Sequence, residues 1–394
     1  MTPLRPIQLA QLCLELGLPD EPQLLPGAAA PSSRLLYAAY AMLANLLPEY
    51  KKAEQAFRGA HEARERLICL KEMLRTIPKH KGTEHIQADI KSRMRQLTDE
   101  LNAPHKGPTR SGAAHAVRRE GAAQICLIGS PNSGKSSLHA ILTGSKSEIG
   151  PFPYTTKEPL PGMLPFEDIA FQLVDLPPIS AEHPHPWIAE LLQSADAAWL
   201  IVDLADPACA EHLLSIVAQL SEHRITLHAD WPGLSVRSDA ALASLTTIHD
   251  ALAADDVPDP FRVHLPTLLV ANKNDLDTKP GEVEALEELT GACFPAISCS
   301  AKTGHGLDHL ARFLFESLQI VRVYTKPLGQ PPDRKRAFAV RRGDTVLDVA
   351  RLVYQDVAGR FRFARLWGSG AFDGQQVGSD HLVADGDIVE LHAK

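Results

Sequence analysis

The sequence is poor in cysteine, has no long apolar run and does not begin like a secreted protein. Six cysteines are scattered through 394 residues and none lies in a Cys-x-x-Cys pair, which predicts a reducing, cytoplasmic environment. No apolar run reaches about 18 residues, the length a membrane helix needs, so no membrane contact is expected. Residues 1–6 lack the charged-then-apolar layout of a secretory signal. Hydrophobic residues make up 44% and charged residues 22% of the chain, which predicts a soluble globular protein.

Charge is distributed unevenly along the chain. Residues 51–119 carry 16 Lys/Arg against 8 Asp/Glu, whereas residues 120–319 carry 10 against 27. Residues 320–394 return to a slight basic excess, 12 against 9. An acidic middle with basic flanks predicts that the flanks contact any polyanion, such as a nucleic acid. The alternative is that these charges are solvated helix faces.

Composition and hydrophobic periodicity divide the chain into four parts. Residues 1–49 form an N-terminal extension of unknown role. Residues 50–121 are expected to form a helical hairpin, broken near Pro78, followed by a mobile basic linker. Residues 122–319 alternate strands with helices, which is typical of an α/β domain with a mostly parallel sheet. Residues 320–394 are expected to form a small mixed α+β domain.

The periodicity also places individual elements. In the α/β domain we expect a helix at 136–142, a last helix at 306–320 and an extra strand at 225–229; its main strands are predicted at 124–129, 171–176, 197–204, 267–273 and 293–300. In the C-terminal part we expect a helix at 345–354 and strands at 337–341, 361–367 and 387–392.

A phosphate-binding loop, Gly-Ser-Pro-Asn-Ser-Gly-Lys-Ser, occupies residues 129–136 between a predicted strand and a predicted helix. This setting is what the Walker A pattern requires. Its glycines allow backbone N–H groups to point at phosphates, and the helix N-terminus adds a favourable dipole. Lys135 is expected to reach the β- and γ-phosphates and the Ser136 hydroxyl to bind Mg²⁺. The residues predicted to contact the nucleotide here are Gly129, Pro131, Asn132, Ser133, Gly134, Lys135, Ser136 and Ser137.

A second motif, Asn-Lys-Asn-Asp at residues 272–275, ends an apolar strand at its carboxyl edge, where open α/β sheets bind ligands. The Asp275 carboxylate can accept hydrogen bonds from two neighbouring N–H groups of guanine, a donor pair that adenine lacks. Asn272 and Lys273 are expected to brace the base and the phosphate loop. The tripeptide Ser300, Ala301 and Lys302 closes a later strand and is expected to contact the guanine carbonyl. The ordered set predicts GTP or GDP as the ligand.

Two segments between these motifs resemble the switches of nucleotide hydrolases. Thr156, with Thr155 as the alternative, is expected to close over the γ-phosphate and bind Mg²⁺. Asp175 ends a strand and is expected to hold Mg²⁺ through water. The usual glycine three residues after that aspartate is Pro178, which has no N–H to offer the γ-phosphate. Ile179 stands where small GTPases place a water-orienting glutamine, so slow hydrolysis is expected.

Three further signals allow a functional and a structural interpretation. Asn132 either ligates a monovalent cation such as K⁺ or simply suits a turn. His183 and His185 are too isolated to predict a metal site. Arg360 and Arg362 alternate with Phe361 and Phe363, so the arginines, with Arg365 as a further candidate, are expected to point outward and the phenylalanines inward. The outward arginines are either an RNA surface or solvated charges.

The order of these motifs resembles the Obg-like GTPases, and among them the developmentally regulated GTP-binding proteins. Residues 78–85 resemble the helical region before their GTPase (G) domain, and residues 205–265 lie where they carry an insertion. The tail resembles their TGS domain, a ubiquitin-like β-grasp module, at residues 323–327, 366–368 and 385–389. The resemblance covers about residues 50–394.

The resemblance implies a translation-associated, Mg²⁺-dependent GTPase that contacts ribosomes or RNA and works with a small regulatory protein partner. The catalytic set that it implies is Asn132, Lys135, Thr156 and Asp175. A hydrophobic residue at position 179 is normal in that family, whereas Pro178 and Asn132 depart from it. Pro178 therefore leaves a second hypothesis open, a scaffold that binds GTP or GDP but hardly hydrolyses it.

Overall fold

The computed structural model describes residues 48–60, 63–77, 83–102, 117–145, 158–179, 186–234, 259–276, 281–353, 360–370 and 372–393. The chain forms two compact units. The first contains Met1–Pro104 with Asp255–Pro260, and the second contains His105–Ala254 with Phe261–Lys394. Residues 1–47 of the extension predicted at 1–49 lie outside the described residues, as do most of the basic linker, Thr155, Thr156, His183 and His185. The four-part domain division stays a prediction.

The first unit is helical, with α1 (Pro48–Gly59), α2 (Ala63–Thr76) and α3 (Glu84–Asn102). Leu70, Met73, Ile77 and Ile90 are buried at helical spacing. The hairpin predicted from the sequence has one long first arm, but the structure divides that arm into α1 and α2. The division follows Gly59, which ends α1 because glycine weakens a helix interior and suits its C-terminal end.

A seven-stranded sheet forms the centre of the second unit. Its order is β2-β3-β1-β4-β6-β5, with β7 paired to β6; β2 and β3 run antiparallel and all other neighbours are parallel. The strands are β1 (Gln124–Gly129), β2 (Leu160–Phe166), β3 (Ile169–Asp175), β4 (Ala197–Asp203), β5 (Ile225–His228), β6 (Val263–Asn272) and β7 (Ala296–Ser298). The helices are α4 (Lys135–Thr143), α5 (Pro186–Ser194), α6 (Cys209–Glu222), α7 (Glu282–Thr290) and α8 (Leu307–Ser317).

The main strands and the extra strand at 225–229 are confirmed, except that the strand expected at 293–300 contains only the three residues of β7. Strand β2 was not predicted. Its sequence contains Pro161, Gly162 and Pro165, residues that are typical of a loop. Proline is tolerated because β2 is an edge strand, where missing N–H groups break few hydrogen bonds. The last helix ends at Ser317, three residues earlier than expected, because Gln319 adopts φ 51° and turns the chain into the next strand.

The C-terminal sheet has the order β11-β10-β12-β8-β9, and only its β8–β12 pair is parallel. It contains β8 (Ile320–Thr325), β9 (Asp333–Arg341), β10 (Phe361–Trp367), β11 (Gln375–Val377), β12 (Asp387–Ala393) and the helix α9 (Val346–Val353). The short strands β8 and β11 were not predicted. Ten buried residues, including Val323, Val349 and Leu366, form a core of their own.

The arginines of β10 are exposed, as predicted. Phe361 packs against the core of the C-terminal sheet, but the expectation for Phe363 is wrong: its ring stacks on His392 at 4.3 Å between centroids. Ala364 and Leu366 fill the core, so Phe363 lies on the opposite face. A register shift between the two phenylalanines separates them.

The cysteines and the helices test two further expectations, that Cys126 and Cys299 are core residues and that no helix spans a membrane. Cys126 and Cys299 are fully buried, as expected of small apolar side chains, and burial raises the pKa of each thiol to about 12. All five cysteines in the described residues are free thiols. Among the described helices, none combines the length and apolar character required to span a bilayer.

Candidate nucleotide-binding site

The carboxyl ends of β1, β3, β4 and β6 meet at one edge of the central sheet, and the phosphate loop lies there. The loop leaves β1 at Gly129 and enters α4 at Lys135, with Gly134 at φ 90°. A Cβ atom on Gly129 would lie 2.4 Å from the Ile201 carbonyl oxygen, so only glycine fits this close approach. The Ser133 hydroxyl donates to the Ser130 carbonyl at 3.0 Å and closes the turn.

Lys135 lies inside the loop rather than in solvent. Its Nζ donates to the Ser130 carbonyl at 2.7 Å and to the Gly129 carbonyl at 3.1 Å, and the residue is only 5% exposed. Burial lowers the pKa of Lys135 to about 8, and the nearby Asp175 carboxylate partly opposes that change. The ammonium group is thus held beside the backbone groups that phosphates would contact.

The pKa of Lys135 predicts a pH-dependent affinity. A bound phosphate raises that pKa, so well below pH 8 the lysine is charged with or without nucleotide and adds no pH dependence to binding. Above pH 8, binding must also take up a proton, and the affinity for GDP falls by up to about tenfold per pH unit. We expect calorimetry in two buffers of different ionisation enthalpy to show uptake of about half a proton per GDP at pH 8. Binding without proton uptake at that pH would contradict this assignment.

Ser136 and Asp175 supply oxygen ligands suited to Mg²⁺. The Ser136 hydroxyl donates to Asp175 Oδ2 at 2.6 Å, and Asp175 is fully buried at the end of β3. Mg²⁺ prefers hard oxygen donors and is usually held by one or two protein groups together with phosphates and water. The donor set therefore fits the ion. Within the described residues no group of three or more His, Cys, Asp or Glu side chains could hold a metal by itself.

Asn272 joins the phosphate loop to the base motif. Its Nδ2 donates to the Ser133 carbonyl at 3.1 Å, and its Oδ1 accepts from the Ala301 backbone N–H at 3.1 Å. Asn272 is buried at the end of β6. One side chain thus fixes three segments that were singled out separately in the sequence.

Two neighbouring side chains hold the Asp275 carboxylate in position. The Ser300 hydroxyl donates to Asp275 Oδ1 at 2.6 Å, and Lys302 Nζ lies 3.4 Å from Oδ2. The Ser300 hydrogen bond is the main reason that the pKa of Asp275 is lowered, and Lys302 acts in the same direction. The carboxylate therefore remains ionised, and remains an acceptor, well below neutral pH.

The remaining predicted residues occupy the rim of this site. Pro131 and Ser137 are half-buried, and Asn132 is exposed at φ 60°, a conformation that asparagine tolerates well. Lys273 also has a positive φ, 65°, and its Nζ forms an ion pair with Asp203 at 2.7 Å. Every predicted nucleotide-binding residue that the structure describes therefore lies near the same edge of the central sheet.

The segment after Asp175 is buried and fixed. Residues 176–179 are all buried, and Ile179 belongs to the core beside Ile128 and Leu192. Its backbone N–H donates to the Gly129 carbonyl at 3.3 Å. Since Pro177 and Pro178 have no N–H and Ile179 uses its own, none of these three residues offers an amide to a γ-phosphate.

Two residues near the site were missed in the sequence. Asp203 ends β4 at the same sheet edge, and its position after an apolar strand was a usable signal. His139 is completely buried on α4; its Nε2 donates to the Leu173 carbonyl at 3.3 Å and its Nδ1 lies 3.1 Å from Ser145 Oγ. Burial lowers the pKa of His139. Nothing in the local sequence pattern indicated that His139 would connect α4 to β3.

Comparison with known proteins gives the site its context. The model of the 50S ribosome-binding GTPase family matches residues 124–237, and the TGS domain model matches residues 321–393. An uncharacterized GTP-binding protein of Methanocaldococcus jannaschii is 30% identical over 364 residues, which cover 84% of this chain and 93% of the relative. Human developmentally-regulated GTP-binding protein 2 is 27% identical over 359 residues, which cover 82% of this chain and 97% of the relative.

This chain belongs to the developmentally regulated GTP-binding protein family. The GTPase thus combines a P-loop GTPase domain with a C-terminal TGS domain, as its motif order suggested. Among solved structures, the G domain of the T. maritima FeoB iron transporter aligns with 50% of this GTPase and 99% of its own chain, at 23% identity and a TM-score of 0.32.

Proposed function

We propose that this protein hydrolyses GTP to GDP with Mg²⁺ as a slow molecular switch. The observation that supports this proposal most directly is the pair of hydrogen bonds made by Asn272. They join the phosphate loop at Ser133 to the base-recognition segment at Ala301. In this proposal Lys135 binds the β- and γ-phosphates and Asp275 reads guanine. Thr155 and Thr156, of which Thr156 is the preferred metal ligand, complete the site from the first switch.

Mg²⁺, when bound, neutralises charge on the β- and γ-phosphates. The protein's own part is to orient the nucleotide. Ser136 is the proposed metal ligand, and Asp175 holds the Ser136 hydroxyl at 2.6 Å. Lys135 contributes positive charge where negative charge develops, and the loop amides add donors that need no reorganisation. Slow turnover is proposed because Ile179, buried in the core, cannot orient the attacking water.

The missing amide at position 178 makes a direct test possible. Replacing Pro178 with alanine restores an N–H while keeping a side chain, and Pro178→Gly is the matched variant with the usual residue. A charge-assisted hydrogen bond contributes about 1.5–3 kcal/mol, so affinity for a GTP analogue relative to GDP should rise roughly 10-fold to 100-fold. Fluorescence titration with both nucleotides measures this ratio. An unchanged ratio in both variants would mean that position 178 does not face the γ-phosphate.

A scaffold that binds GTP or GDP with little or no hydrolysis is the second candidate. It is favoured by the engagement of the Ile179 N–H with Gly129 at 3.3 Å, which leaves residues 177–179 without a free amide. The two candidates differ in turnover, not in affinity. Single-turnover measurement with radiolabelled GTP separates them, since a scaffold would leave GTP intact over hours.

The proposed partners are the ribosome or RNA, contacted through the basic flanks, and a small regulatory protein. Support comes from the exposed arginines 360, 362 and 365 and from the description of the matching GTPase family as ribosome-binding. We propose a cytoplasmic location, which suits the free thiols of the described cysteines. K⁺ is a candidate activator through Asn132.

The proposed function is tested by measuring GTP turnover with and without ribosomes, in K⁺ and in Na⁺, with and without Mg²⁺. We expect slow Mg²⁺-dependent turnover that ribosomes accelerate. If Asn132 holds a cation, K⁺ should accelerate turnover further and Asn132→Ser should remove that increment. Absence of turnover under every condition would exclude the enzyme and leave the scaffold.

A further inference from the structure

An antiparallel ribbon links the nucleotide site to the TGS domain. Strands β2 and β3 are joined by seven residue pairs, from Leu160 with Asp175 at one end to Phe166 with Ile169 at the other. At about 3.4 Å per residue, the turn beyond Phe166 lies about 20 Å from the Asp175 end. The two ends are thus connected by one continuous hydrogen-bonded element.

The site end of the ribbon is attached to the helix that follows the phosphate loop. Asp175 accepts from Ser136 at 2.6 Å, and the Leu173 carbonyl accepts from His139 at 3.3 Å. On β2, a Cβ atom on Gly162 would lie 2.7 Å from His139 Nε2, so the helix and ribbon are in close contact. The helix after the phosphate loop and the ribbon are thus joined by hydrogen bonds and by direct packing.

The turn end is clamped by the TGS domain. The turn consists of Glu167 and Asp168, and Arg322 of β8 binds both carboxylates, the second at 3.4 Å. The Tyr324 hydroxyl donates to Asp168 Oδ2. Asp385 holds the guanidinium from the other side with hydrogen bonds of 2.7 and 3.0 Å. Together these five residues are called the ribbon clamp.

The ribbon clamp is an organised network rather than a single surface ion pair. The Arg322 side chain is 20% exposed, and its guanidinium forms ion pairs with three carboxylates and lies over the Phe315 ring at 5.0 Å. Arg322 lowers the pKa of Asp385, and Asp168 raises the pKa of Tyr324. Isolated exposed pairs contribute little, whereas geometrically ordered networks contribute more. Without the arginine, three like charges would face one another across the domain boundary.

A second polar contact between the domains does not touch the ribbon. Arg341 of β9 donates to Asp196 at 3.1 Å and to the Leu318 carbonyl at 2.9 Å. Asp196 lies between α5 and β4. This contact holds the same two domains together by a route outside β2 and β3, and it supplies a matched control.

We propose that the ribbon clamp couples the TGS domain to the nucleotide site, so that the protein's preference between GTP and GDP depends on TGS docking. The inference rests on the proposed function. Residues 176–179 are buried in the core. The ribbon gives a hydrogen-bonded route from the Asp175 end of the site to the TGS domain. Any such coupling is reciprocal, because a docked TGS domain must bias the nucleotide site by the same factor.

The test compares Arg322→Gln and Tyr324→Phe with Arg341→Gln in the full chain. Dissociation constants for GDP and a non-hydrolysable GTP analogue are measured by fluorescence titration, and thermal unfolding shows that each variant is folded. Tyr324→Phe removes one hydroxyl and keeps the ring, so it guards against loss of folding. We expect both clamp variants to change the GTP/GDP affinity ratio at least threefold, while Arg341→Gln leaves it within twofold of the wild type.

The inference is overturned if the clamp variants keep the wild-type ratio, or if Arg341→Gln shifts the ratio as much as they do. The first result would show that the clamp is a purely structural contact. The second would show that the affinity ratio responds to any weakening of TGS docking and not to the clamp in particular. Wild-type protein that binds neither nucleotide would overturn the proposed function and this inference with it. Wild-type binding with unaffected ratios would overturn this inference alone.

Discussion

Asp275→Asn should lower the affinity for GDP roughly 100-fold to 10,000-fold and create affinity for xanthosine diphosphate. The substitution replaces one carboxylate oxygen with an N–H donor that faces a guanine N–H donor. It therefore removes charge-assisted hydrogen bonds of about 1.5–3 kcal/mol each and adds a repulsive contact. Xanthine carries a carbonyl in place of the guanine amino group, so the new amide can donate to it. Competition titrations with both nucleotides measure the exchange.

Xanthosine diphosphate binding also serves as the folding control for this variant. Ser300 can still donate to the asparagine carbonyl in place of the carboxylate that it contacts at 2.6 Å. Loss of GDP binding with no gain for the xanthine nucleotide would point to general damage. Unchanged GDP affinity would show that Asp275 does not read the base.

Gly134→Ala should abolish nucleotide binding, with a loss of at least about 100-fold in the affinity for GDP. The added Cβ would lie 2.2 Å from Asn272 Nδ2, and alanine would have to adopt φ 90°. Relief of that clash requires Asn272 to leave its 3.1 Å contacts with Ser133 and Ala301. The substitution therefore disturbs the phosphate loop and the base segment together. Calorimetry with GDP measures the loss.

Gly144→Ala is the matched control at the other end of the same helix. Gly144 also has a positive φ, 68°, but apart from its chain neighbours no atom of the described residues crowds the place that an added Cβ would occupy. Only the left-handed backbone is penalised, by about 1–2 kcal/mol. The control should lower thermal stability slightly and bind GDP as the wild type does. Equal loss of binding in both variants would assign the Gly134 effect to backbone strain alone.

The sequence revealed the parts of the site that depend on strand ends and short motifs. Gly129, Asp175 and Asn272 each follow a buried apolar strand, and parallel strands bring their carboxyl ends to one edge. Local sequence therefore predicted both the motifs and their convergence. It could not predict His139, because a buried histidine on a helix becomes informative only when its partners at Leu173 and Ser145 are known.

Elements shaped by tertiary context were harder to predict. Strand β2 contains two prolines and reads as a loop, and only its place at the sheet edge explains why it forms. Strand β8 follows α8 with almost no connecting segment, so the hydrophobic pattern of the helix runs directly into that of the strand and hides the boundary between them. The clamp between Arg322 and Asp168 joins residues 154 positions apart. No local pattern pairs such distant charges.

The most direct test of the central claim is a calorimetric titration of the folded wild-type protein with GDP and with ADP. If the phosphate loop and Asp275 bind one guanine nucleotide, GDP should bind at a single site, and ADP should bind at least about 100-fold more weakly, because it lacks the paired donors that the carboxylate accepts. Equal affinity for both nucleotides, or no binding of GDP, would contradict the account.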